Sequence, residues 1–72
     1  MRGPDENRLA DTQLRVEEAQ AVVDLQRAVV LELQRKGQDA REAKQLLLRC
    51  IEFLILHQEE LDRIKQGSDV NA

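Results

Sequence analysis

The side chains that could carry chemistry in this sequence are few. His57 is the only histidine and Cys50 the only cysteine. A histidine is the side chain whose charge changes near neutral pH, so His57 is a candidate switch; across a symmetric dimer it could also supply one of a pair of metal ligands. Its plainer role, which is preferred, is a buried residue with one hydrogen-bonded nitrogen that fixes helix register, as polar seam residues do in coiled coils. Cys50 reads as a small core residue; an inter-chain disulfide would need a dimer axis close by and suitable geometry. One Cys and one His are a poor ligand set for zinc, so neither metal nor cofactor is expected.

Two carboxylate pairs, Glu17-Glu18 and Glu59-Glu60, are adjacent in sequence. On a helix, neighbours point about 100° apart, so neither pair is poised for acid/base work. Arg35, Lys36, Arg41 and Lys44 form a basic cluster that could contact an anion, helped by free amides at a helix start. No aromatic accompanies it to stack on bases, and capping plus solubility is the preferred reading. No catalytic residue is assigned and the chain is not expected to be an enzyme, because nothing converges on a reacting atom.

These residues sit on apolar seams. Ala43, Leu47, Cys50, Leu54, His57, Leu61 and Ile64 alternate steps of four and three, the signature of a helix packed on other helices. Leu46, Ile51 and Phe53 widen the stripe, and Leu48, Ile55 and Leu56 fall outside it. A helix apolar around most of its circumference is covered from more than one direction. Upstream, Leu9, Val16, Ala19, Val23, Val30 and Leu33 form a weaker seam interrupted by Thr12 and Gln26, with Val22 and Val29 beside it. A poorer stripe, Ala10, Leu14, Ala21, Leu25 and Ala28, lies on a neighbouring face.

Between the seams, Arg35-Lys36-Gly37 ends a helix, with cations in the last turn followed by a residue free to take the left-handed conformation. Asp39 caps the next helix, and Glu42 stands in capping-box spacing. A stop and a start this close reverse the chain. The expectation is one all-α domain over residues 1–72. Its helices run from about 5 to 36 and about 40 to 66, with a turn at 37–39 and a flexible tail at 67–72. Folding symmetrically about Gln38 puts Val23 near Leu54, Gln26 near Cys50 and Ala19 near His57, and a shift of three or four residues also fits the pattern. Gln26 could offer the core a polar partner, though reaching water is slightly favoured.

A hairpin of 72 residues with 42% apolar and 35% charged residues has a small core, and chains of this size rely on disulfides, metal or oligomerisation. With one cysteine, oligomerisation remains. The expected architecture is an antiparallel two-helix hairpin that dimerises into a four-helix bundle. Leu47, Leu48, Cys50, Ile51, Leu54, Ile55 and Leu61 are the assigned dimer or partner interface. A net charge of −3 gives no general attraction to nucleic acid or anionic lipid. Its distribution is uneven: residues 5–24 hold six acids and two bases, residues 50–72 five acids and two bases, and residues 34–49 five bases and two acids. No apolar run approaches a membrane span and no secretory leader is visible, so a cytoplasmic protein with a reduced thiol is expected.

The stretch Leu33-Gln34-Arg35-Lys36-Gly37-Gln38-Asp39-Ala40-Arg41-Glu42-Ala43-Lys44-Gln45-Leu46-Leu47 resembles a set of very short bacterial proteins of unknown function, frequent in α-proteobacteria such as rhizobia. Their pattern, L-E-R-R-G-x-D-T-x-E-A-x-x-L-L, is followed by a mid-helix aromatic, then L-H and a terminal D-R-L. Leu56, His57, Asp62 and Arg63 match the later positions, with Ile64 for the final Leu. Ala40 stands for the usual Thr and Cys50 for a Phe, with Phe53 one turn later. The resemblance covers roughly residues 8 to 64 and implies a helical hairpin, without a ligand or partner.

The function expected is a non-enzymatic interaction module: a small homodimer that could also offer a groove to another protein's helix. Two alternatives are a regulatory nucleic-acid-binding hairpin, by fold analogy with the small plasmid Rop bundle, and a pH- or metal-responsive switch at His57.

Overall fold

The computed structural model describes residues 4–70, and side-chain surroundings for residues 6–67. Helix α1 spans Pro4–Arg35 and helix α2 spans Arg41–Val70. They pack antiparallel as the hairpin expected, and no strand occurs among the described residues.

The reversal is built from backbone chemistry. Gly37 has φ of +72°, the left-handed region where a Cβ is penalised. Its N–H donates to the Gln34 carbonyl at 3.0 Å and the Gln38 N–H donates to the Leu33 carbonyl at 2.9 Å. Those paired bonds are the Schellman motif, which satisfies the last carbonyls of α1. Asp39 Oδ1 then accepts the Arg41 N–H at 3.0 Å, while the Ala40 carbonyl accepts from Lys44 N–H at 2.9 Å to begin α2. Glu42 closes no box: among the described residues its carboxylate makes no return bond to Asp39. Asp39 lies one residue before the first helical carbonyl, which lengthens the reach the capping box needs.

Along the hairpin the buried positions follow one stripe on each helix. Ala19, Val23 and Leu54 form the central cluster, with Val16, Leu47, Cys50 and Ile51 packed against it. Val23 is only 2% exposed. Thr12 is buried in the same stripe, and no buried side-chain nitrogen or oxygen among the described residues lacks a hydrogen-bond partner. Near the turn, Val30 and Ala40 are buried.

Two details differ from the sequence expectation. The second helix does not stop at Gln66: its backbone stays helical through Gly67 and Ser68 to Val70, so the part of the expected tail at 67–70 is helix, while 71–72 lie outside the described residues. A glycine costs a helix only about 1 kcal/mol, so one near the end does not by itself stop it. The partner of Gln26 also differs, although the core register does not: Val23 and Leu54 share one cluster, as symmetric folding about Gln38 places them. Gln26 Nε2 donates to the Ala43 carbonyl at 3.0 Å and Arg8 reaches Glu60 at 3.9 Å, both nearer the turn on α2 than symmetric folding about Gln38 places them. Long side chains supply part of that reach. Gln26 therefore takes the polar role inside the hairpin, toward a backbone carbonyl and not toward Cys50.

Two helices side by side make one layer. The molecule measures 54 × 20 × 13 Å with a radius of gyration of 16.5 Å, against roughly 11 Å for a compact domain of this length.

Candidate interaction surface

The seam between the helices covers only one stripe of each, and what remains is strongly apolar on one broad side. On α1, Val22, Leu25 and Val29 lie within an arc of about 60° at 100° per residue. On α2, Leu46, Phe53 and Leu56 fall on the matching flank within about 80°. All six are exposed, Leu25 at 69% and Leu56 at 62%. An open groove of about 610 Å³ runs between them, lined by Arg15, Glu18, Ala19, Val22, Arg49, Cys50, Phe53 and His57. A smaller groove at the turn end is lined by Leu25, Val29 and Leu33 among others. Apolar floor with a few charges at its edges is the anatomy of an interface, where a polar rim surrounds a desolvated centre. The opposite side is thinner in apolar material: Leu31, Leu48 and Ile55 stand among glutamines and charges.

The surface area tells the same story in aggregate. The chain exposes 5852 Å², whereas a compact monomer of 8.3 kDa exposes roughly 4,600 Å².

The residues assigned to an interface divide into two sets. Leu47, Cys50, Ile51 and Leu54 pack against α1 within the same chain, and Leu61 is half-buried on the same stripe. Only Leu48 and Ile55 are exposed, on the thinner side. The broad face was not singled out from the sequence. Its signal was the pair Val22 and Val29 with Leu25 one turn between them, which reads as a weak second stripe until the seam is known.

His57 is half-buried at the groove. Its ring meets Phe53 edge to face, centroids 4.4 Å apart and planes at 81°, a preferred aromatic geometry. This packs both rings into one wall of the groove. Cys50 is a free, half-buried thiol. Among the described residues, no three His, Cys, Asp or Glu side chains gather as a metal cage.

No protein-family model, curated protein or solved structure matches this chain. Its surfaces must therefore be read on their own terms. No described helix is long and apolar enough to cross a membrane.

The basic turn is largely neutralised by its own acids. The Arg35 guanidinium donates to Glu32 at 2.6 Å and Lys36 lies 3.5 Å from the same carboxylate. Arg41 holds Asp39 through Nε and Nη2, the shortest contact 2.9 Å. Accordingly Arg35, with Lys36 adding, holds Glu32 below the usual carboxylate range. The Arg41 guanidinium, then its backbone N–H, does the same for Asp39. Lys44 is exposed and has no ion pair among the described residues. Of the acid pairs, Glu60 turns partly inward to Arg8, while Glu17, Glu18 and Glu59 are exposed.

Proposed function

We propose that this chain is a non-enzymatic helical interaction module whose first partner is a second copy of itself, docked through the face that carries Val22, Leu25, Val29, Leu46, Phe53 and Leu56. The observation that carries this reading is the imbalance between inside and outside: among the described residues, five apolar ones are buried while ten large ones stay exposed. A domain normally closes its core between two layers, and a hairpin supplies one. Stacking two hairpins face to face gives the missing layer and the four-helix bundle.

Size supports the same reading. A face 54 Å long and 20 Å wide is ample for the ~800 Å² that each partner loses in a standard interface. Large contiguous exposed apolar patches on monomers commonly mark interaction sites. The ion pairs of Arg35, Lys36 and Arg41 weigh against a phosphate-binding role for the turn, because each cation already has an acid within 4 Å. A lone thiol suits a reducing compartment, and the cytoplasm is the proposed location.

Self-association ties stability to concentration by mass action. Thermal melting followed by circular dichroism should give a Tm that rises steadily with chain concentration, and Phe53→Glu should abolish that rise while a helical spectrum persists at low temperature. A wild-type Tm independent of concentration would remove the support for self-association.

A further inference from the structure

We infer that the two hairpins stack antiparallel, each turn lying over the open end of its partner. This rests on the self-association proposed above and adds its geometry. Two face-to-face arrangements are available to a symmetric pair of hairpins: one puts both turns at the same end, the other at opposite ends. Apolar burial does not by itself choose between them: the exposed residues run from Val22 to Val29 on α1 and from Leu46 to Leu56 on α2, in the half of the rod nearer the turn, and a pair with turns at opposite ends overlaps them by sliding a few residues along the axis. Helix dipoles do not choose either, because neighbouring helices are antiparallel in both.

Charge does choose. Around the turn, residues 27–49 carry six cations and three acids. At the other end, residues 6–18 and 59–65 carry seven acids and four cations. The Arg8–Glu60 contact shows that those two segments lie side by side. The hairpin is thus a rod with +3 at one end and −3 at the other, the two regions separated by on the order of 30 Å along the axis. That exceeds the Debye length at physiological salt, so each end responds to whatever sits directly above it. Turn over turn stacks like on like at both ends. Turn over open end sets positive against negative twice, by symmetry. Charges at the edge of an interface fix register and suppress the wrong docking more than they add affinity, and orientation is what is left undecided here.

The experiment places one nitroxide label at the turn, on Gln38→Cys in a Cys50→Ala background, and measures the label-to-label distance by pulsed electron resonance. Sedimentation of the same sample reports its mass. A dimer with labels on the order of 50 Å apart, comparable to the 54 Å length of the hairpin, is expected. A dimer with labels within about 25 Å, as adjacent turns would give, would overturn the orientation and leave self-association standing. A monomer would overturn both. An independent check keeps the native thiol: Lys44→Glu with Arg49→Glu should raise the dimer dissociation constant roughly 5-fold or more at low salt, the difference shrinking at high salt. An unchanged constant at low salt would overturn the orientation.

Discussion

The turn and the broad face are opposite kinds of structure. At the turn the main polar groups are answered within a few residues: Gly37 and Gln38 amides return to α1 carbonyls, Asp39 takes the Arg41 amide, and four charges are paired locally. Nothing outside the chain is needed. On the broad face, Phe53 stays 59% exposed even with its ring packed on His57, and Leu25 stays 69% exposed. The hairpin is therefore specified locally, while its stability and use depend on what covers the face.

The sharpest way to break that contrast is to charge the face. Leu25→Glu with Leu56→Glu should raise the dimer dissociation constant on the order of 1,000-fold, since four carboxylates would enter one apolar interface; sedimentation measures it. For a hairpin that works alone, both substitutions are at exposed sites and would shift stability by less than about 0.5 kcal/mol. Next in size is the seam within the chain. Leu54→Ala should destabilise by about 2–4 kcal/mol in chemical denaturation, through lost burial and the cavity beside Ala19 and Val23.

At the turn the effects are smaller. An added Cβ at Gly37 meets nothing within 4 Å, so Gly37→Ala should cost only the left-handed conformation, about 1 kcal/mol, with dimer mass unchanged. The smallest effect is pH-linked. Glu32 and Asp39 have folded pKa values below their ordinary ones. Their contribution is therefore complete above the unfolded carboxylate values, about 4, and is lost as pH falls through the lower folded values. Acid denaturation of Asp39→Asn should show a shallower decline in stability below about pH 4 than the wild type does.

Much of the hairpin was legible because its signals are local and chemical. Arg35-Lys36-Gly37 and Asp39 each act over one to five residues, and the spacing from Ala43 to Ile64 repeats for three heptads. The face was harder to read. The seam of α2 and its flanks are both rich in Leu and Ile, so composition did not say which stripe the chain keeps for itself. The sequence reads Leu47, Cys50 and Leu54 both as seam and, with Ile51, as dimer or partner interface for that reason, and α1 covers all four in part. Register was legible at Val23 and Leu54, which share the central cluster, but not at Gln26, whose long side chain reaches the Ala43 carbonyl.

Sedimentation equilibrium of the unmodified chain, from the low micromolar into the millimolar range, shows whether the broad face pairs with a second copy. A mass twice the 8.3 kDa of one chain, falling toward the single-chain value only on strong dilution, is the predicted result. A single-chain mass throughout that range would contradict it, and the face would then be uncovered by any second copy.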